Sequence, residues 1–189
     1  MAPRAWGAAV SESRFLVVEF PGDGLTLADW TRDHAGATVD LISEPVRSRG
    51  ADRVHPSVVL VKGAGRAALV QLMDRLDRLY GPVETLRLEP ARGQWLARLS
   101  VRESAMHSAA AAAVLQFQHR YGAPWTHIDD GIVYMRALLP PREDGDRLAQ
   151  QMRGYLAQNK VDAQVSVQEF SAHDYGVWDD LVQHAIGLA

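Results

Sequence analysis

The order of hydrophobic periods between Trp95 and Phe170 is the feature that most limits how this 189-residue chain can fold. Alternating apolar and polar residues have the period of a half-buried strand, whereas apolar residues at i, i+3, i+4 and i+7 have the period of a helix. These periods occur in the order strand, helix, strand, strand, helix, strand, over residues 95–101, 108–121, 125–128, 132–139, 144–158 and 163–170. The order predicts a four-stranded antiparallel sheet with its helices on one face.

The same order of periods occurs about 80 residues earlier, which indicates a tandem duplication. Its segments are strands at 14–20, 38–44, 57–61 and 83–88 and helices at 27–34 and 66–80. The alignment matches Phe15 with Trp95, Ser57–Val61 with Ile132–Arg136, and Arg66–Tyr80 with Gly145–Asn159. We therefore expect an α+β protein of two tandem ferredoxin-like (βαββαβ) units with antiparallel sheets.

The predicted units comprise residues 14–90 and 94–171. They could pack side by side in one eight-stranded sheet or face to face as a barrel-like sandwich. Residues 1–13 are expected to form a flexible tail, and residues 174–189 an extra C-terminal helix.

Composition narrows the classes of function. The chain has no cysteine, which excludes disulfides, thiolate metal sites and cysteine nucleophiles. Its net charge of −3, from 20 basic and 23 acidic residues, does not favour a nucleic-acid or membrane partner. None of the seven histidines is four residues from another, so neither a metal site nor a cofactor is predicted. These observations favour a cytoplasmic protein.

A glycine-rich segment, Lys62–Ala68, has the G-x-G-x-x-A spacing of a dinucleotide-binding turn between a strand and a helix. The next strand, 83–88, runs through only a short turn into the strand at Trp95. Such a connection forms an antiparallel hairpin, whereas a dinucleotide-binding sheet needs a helical crossover there. We interpret Gly63 and Gly65 as turn residues, and leave open whether this turn binds an anion.

Polar and aromatic side chains concentrate on the predicted hairpin around Asp130-Gly131. Trp125, His127 and Asp129 share one face of a strand, and Tyr134 and Arg136 share a face of the next. Trp125 and Tyr134 would stack on a planar or anionic ligand, His127 and Arg136 would meet its negative charge, and Asp129 would accept hydrogen bonds. The alternative interpretation is an ordinary hairpin with Trp125 in the core.

No catalytic residue is predicted, because the motifs of serine hydrolases, phosphate-loop enzymes and zinc proteases do not occur. An alternative is a small enzyme of the dimeric α+β barrel type, with His127 as acid and base and Asp129 as its orienting group. A third hypothesis is an interaction module. The apolar stripe of the C-terminal helix, with Trp178 and Leu181, would cap a sheet face or bind a partner. The small side chains of Ala109–Ala113 would suit an interface between the repeats or a homodimer seam.

The segments Thr38–Pro45, Ser57–Gly63 and Val83–Leu88, with the intervening helix, resemble the sensory region of bacterio-opsin-activator-type transcription regulators. The resemblance extends over about residues 14–170 and implies a sensory or regulatory module. In that family a helix-turn-helix domain follows, and Asp174–Ala189 is too short for one, so direct DNA binding is not expected.

A more general similarity is to ACT-like modules, which implies a small molecule bound between two units. Neither resemblance assigns functional residues. We therefore expect a non-enzymatic regulatory or sensory module that binds a small molecule between its repeats or docks a protein partner.

Overall fold

A computed structural model describes residues 14–43, 54–102, 125–139 and 144–169, together with Val177 and Leu181. In these ranges eight strands form one sheet, and every pairing is antiparallel. The strands are β1 (Arg14–Pro21), β2 (Thr38–Ser43), β3 (Val54–Lys62), β4 (Glu84–Glu89), β5 (Gln94–Arg102), β6 (Trp125–Asp129), β7 (Ile132–Leu139) and β8 (Gln164–Glu169). The helices are α1 (Thr26–Asp33), α2 (Arg66–Tyr80) and α3 (Gly145–Gln158), and a 3₁₀ turn, Pro90–Arg92, joins β4 to β5. The predicted α+β class and antiparallel pairing are confirmed.

Local sequence signals account for the helices. In α2 the residues at helical spacing, Leu69, Leu72 and Leu76, are all buried, and the helix ends at Gly81 with φ of 85°. Asp144 caps α3, because its side chain accepts a hydrogen bond from the Arg147 backbone N–H. None of the helices among the described residues combines the length and the apolar character needed to cross a membrane.

Several sequence expectations lie outside the described residues. They are the tail at 1–13, the alanine-rich helix at 108–121 and most of the segment 174–189. Val177 and Leu181, which are described, are both helical.

The spatial order of the strands is β4-β5-β3-β2-β6-β7-β1-β8. β1 therefore lies between β7 and β8, and β5 lies between β3 and β4. The first strand of each sequence half thus pairs with strands of the other half, so the spatial grouping does not follow the division at residues 90–94. The two groups of four strands meet where β2 pairs with β6.

The strand pairings have an internal symmetry. Exchanging β1 with β5, β2 with β6, β3 with β7 and β4 with β8 reproduces every pairing in the sheet. The predicted residue alignment is wrong in detail, because Phe15 and Trp95 belong to clusters on opposite faces of the sheet. Because side chains alternate along a strand, shifting this alignment by one residue would place the matched side chains on the same face.

Each face of the sheet carries its own hydrophobic cluster. The cluster on the helix-covered face contains Leu16, Val18, Val59, Trp95 and Ala97 from the strands. The cluster on the opposite face includes Phe15, Val17, Ile42, Val58, Leu60, Leu96, Trp125, Val177 and Leu181. Polar side chains lie beside the second cluster and form the candidate site.

Candidate functional site

A row of four polar or aromatic side chains crosses the centre of the sheet on the face opposite α1, α2 and α3. Asp40 of β2 lies opposite His127 of β6, His127 opposite Tyr134 of β7, and Tyr134 opposite Glu19 of β1. We call these four residues the central row. The pair Asp40 and His127 is also the middle of the five pairs that join β2 to β6.

Asp40 organises the row from a buried position. It is 3% exposed, and its Oδ1 accepts hydrogen bonds from Trp125 Nε1 at 3.0 Å and from His127 Nδ1 at 2.8 Å. An ionised carboxylate can only accept, so we assign a proton to Nδ1 of His127. In the neutral ring Nε2 is then the acceptor, on a side chain that is 24% exposed.

Trp125 forms the floor beside the row. It is 2% exposed, the Arg136 guanidinium lies 4.3 Å from the centre of its ring, and Phe15 meets it edge-on with 6.0 Å between ring centres. These contacts and the bond to Asp40 leave the indole no open face on which a ligand could stack. Trp125 therefore supports the site from below, and the cation–π contact holds Arg136 in place.

Tyr134 lies beside His127, with 5.9 Å between the ring centres and 38° between the ring planes. Burial raises the pKa of its phenol, and the carboxylates of Glu19, Asp129 and Asp130 raise this pKa further. Arg136 lowers it, but the net direction is upward from the ordinary value of 10.0. The Tyr134 phenol therefore lies in a partly buried place with the carboxylates of Glu19, Asp129 and Asp130 nearby.

The structure brings together four of the five residues predicted for the ligand site. Trp125, His127, Tyr134 and Arg136 are in contact on one face of β6 and β7. Asp129 is exposed at the end of β6, one step along the same face.

The carboxylate that orients His127 is Asp40, not Asp129 as expected for the enzyme alternative. Sequence reasoning missed Asp40. The available signal was its position in β2, because it shares a face with the buried Ile42, where a charged side chain is unusual.

Of the two residues predicted to bind a partner, Leu181 is among the described residues and Trp178 is not. Leu181 is 0% exposed and packs in the same cluster as Trp125, so its side chain lies inside this chain. Val177 is 7% exposed in the same cluster. These two described residues therefore pack on the sheet face that carries Trp125. Trp178 and Ala109–Ala113 lie outside the described residues.

The glycine-rich segment before α2 has the geometry of a tight turn. Gly63 has φ of 75°, and a Cβ there would lie 2.1 Å from the carbonyl oxygen of Gly36, so only glycine fits. Gly65 is the N-cap of α2 and has open space around its Cα. Anion binding at this turn stays a prediction.

The central row contains two carboxylates, an imidazole and a phenol. No group of three or more metal-ligating side chains is found among the described residues. Asp40 is buried, Glu19 is half-buried, and the side chain of His127 is 24% exposed. No protein-family model matches the sequence, and a search of curated proteins finds no match either.

Proposed function

We propose that the protein is a non-enzymatic regulatory or sensory module that binds a small molecule on the central row. The observation that carries this proposal is the hydrogen bond that His127 Nδ1 donates to buried Asp40 at 2.8 Å. It holds the imidazole in one orientation and one tautomer while part of the ring stays exposed. A side chain that is fixed before binding loses little conformational entropy when a ligand arrives.

We also infer that the chain is a duplication of two ferredoxin-like units that have exchanged their first strands. The order β4-β5-β3-β2 is that of a ferredoxin-like sheet with β5 in the place of its first strand. The order β8-β1-β7-β6 is the same with β1 in that place. The internal symmetry of the pairings supports this inference.

The position of the row supports a regulatory role. Asp40 belongs to one group of four strands, whereas His127 and Tyr134 belong to the other. A ligand that binds His127 depends on the hydrogen bond between His127 and Asp40 across the β2–β6 junction, so it would bind one arrangement of the two groups better than others. Differential affinity of that kind is what lets a ligand shift a conformational equilibrium.

The proposal can be tested by thermal unfolding in the presence of the small-molecule filtrate of a cell extract. We expect the filtrate to raise the melting temperature of the wild type, and His127→Ala to remove most of that shift. Asp146→Ala is the matched control, because this residue lies in the first turn of α3, on the other face of the sheet. Equal shifts for the wild type and His127→Ala would contradict binding on the row.

The same hydrogen bond favours a second candidate function. A carboxylate that holds Nδ1 of a histidine is the arrangement that prepares Nε2 for proton transfer. In this candidate His127 is the acid and base and Asp40, rather than Asp129, its orienting group. Mass spectrometry of the bound compound distinguishes the candidates, because a sensor returns it unchanged, whereas an enzyme converts it at a rate that His127→Gln abolishes.

A further inference from the structure

We infer that the ligand of the central row carries a protonated amine at the Glu19 end and a hydrogen-bond donor at the His127 end. This inference rests on the proposed function and names the chemical class of the ligand. It differs from the sequence expectation of an anionic ligand, which depended on His127 and Arg136.

The charges around the row favour a cation. Among the described residues, the carboxylates of Glu19, Asp129 and Asp130 act on the Tyr134 phenol in one direction and the guanidinium of Arg136 in the other. That guanidinium already lies over the Trp125 ring. An incoming anion would therefore meet mainly carboxylates, whereas an incoming ammonium would be attracted.

Glu19 supplies the acceptor for the amine. Its side chain is half-buried in β1, directly across from Tyr134. Within the described ranges its carboxylate takes part in no ion pair or side-chain hydrogen bond. By contrast, Glu84 on the same face pairs with Arg98 at 3.2 Å. A partly desolvated carboxylate is stabilised when a cation approaches it.

Tyr134 and His127 define the rest of the ligand. The ring of Tyr134 lies between Glu19 and His127, and an ammonium above a tyrosine ring gains a cation–π interaction. Neighbouring strands lie about 4.8 Å apart, so Glu19 and His127 are separated by roughly 10 Å across β7. An amine that reaches Glu19 therefore needs a second polar group at its far end. Since His127 Nδ1 donates to Asp40, Nε2 in the neutral tautomer is an acceptor, which a donor on the ligand would satisfy.

Tyramine, tyrosol and 4-hydroxyphenylacetate are suitable probes, because they share a phenol donor and differ in carrying an ammonium, a hydroxyl or a carboxylate. Isothermal titration calorimetry on the full chain measures their affinities. We expect tyramine to bind at least about tenfold more tightly than either of the others, since a hydrogen bond to a charged group is worth about 1.5–3 kcal/mol.

Two variants locate the contribution of the charge. Glu19→Gln should weaken tyramine about tenfold and leave tyrosol unchanged, because only the ammonium interacts with the lost charge. Glu84→Gln removes an equivalent charge from β4, at the far edge of the sheet, and should change neither affinity.

Tyr134→Phe should keep most of the tyramine affinity and Tyr134→Leu should lose it, because the aromatic ring makes the contact.

The failure of this inference differs from the failure of the proposed function. Tightest binding by 4-hydroxyphenylacetate, or an unchanged tyramine affinity in Glu19→Gln, would overturn the amine and leave the row as a ligand site. If none of the probes binds, the compound retained from the cell-extract filtrate decides, and one without an amine also overturns the inference. If neither the probes nor any compound of the filtrate binds in a way that depends on His127, the proposed function itself is wrong.

Discussion

At the scale of single residues, the site depends on one buried carboxylate. Asp40 is 3% exposed at the centre of a sheet, where burying a carboxyl group costs free energy unless its oxygens accept hydrogen bonds. Trp125 and His127 supply two N–H donors to the same oxygen. The cost of burying Asp40 is thus offset by the interactions that orient both rings.

Removing this carboxylate should destabilise the protein measurably. We expect Asp40→Ala to lower the free energy of unfolding by about 2–3 kcal/mol, because it leaves the buried Trp125 Nε1 and the His127 Nδ1 without their acceptor. Urea denaturation followed by fluorescence gives the midpoint and the slope.

Asp129→Ala is the control, because this carboxylate lies on the same face but is exposed. Its effect should stay within about 0.5 kcal/mol. Equal losses in the two variants would show that the hydrogen bonds of Asp40 contribute no net stability.

At the scale of elements, the β6–β7 hairpin is held against α1 by its turn. Asp130 and Gly131 have φ of 46° and 78°, as the two-residue turn predicted from the sequence requires. The backbone N–H of Gly131 donates to Thr31 Oγ1 at 3.0 Å, and its carbonyl accepts from the N–H of Gly22 at 2.9 Å. The turn therefore anchors the strands that carry His127 and Tyr134.

Two glycine-to-alanine substitutions should have opposite effects on stability. Gly131→Ala should destabilise by about 1–2 kcal/mol, because φ is positive and the new Cβ would lie 2.6 Å from the Arg32 Nε. Gly154→Ala in α3 should stabilise by about 0.5–1 kcal/mol, since nothing lies within 4 Å of its Cβ position and alanine favours a helix. Thermal unfolding measures both, and a neutral Gly131→Ala would contradict the strained turn.

At the scale of the whole molecule, the positions of β1 and β5 link the two groups of strands. β1 begins the N-terminal half of the chain but completes the sheet between β7 and β8. β5 begins the C-terminal half of the chain but completes the sheet between β3 and β4. Neither half of the sequence therefore supplies all four strands of one group, and each group depends on both halves.

Amide hydrogen exchange can test these pairings of β1 and β5. Leu16→Ala in β1 should destabilise locally by about 2–5 kcal/mol and speed exchange mainly in β7 and β8, because Leu16 is paired with Ala137 and Val167 there. Leu99→Ala in β5 should instead act mainly on β3 and β4. Faster exchange in β3 and β4 caused by Leu16→Ala would contradict the observed order of strands.

The sequence by itself determined where the described helices and strands lie to within a few residues and, for β6 and β7, which side chains share a strand face. Period along the chain is a local property, so α2 and the Asp130-Gly131 turn could be predicted without knowing their neighbours. The shared face of His127 with Trp125, and of Tyr134 with Arg136, follows from alternation alone.

Only the tertiary structure decided which strands are neighbours, and with them the composition of the site. A strand has the same hydrophobic period whether it pairs with β3 or with β7, so nothing in the local sequence places β1 between β7 and β8. Asp40 reaches His127 across 87 residues of sequence because long-range pairing places β2 beside β6. Glu19 lies opposite Tyr134 for the same reason, because β1 pairs with β7 although the two strands are far apart in the sequence.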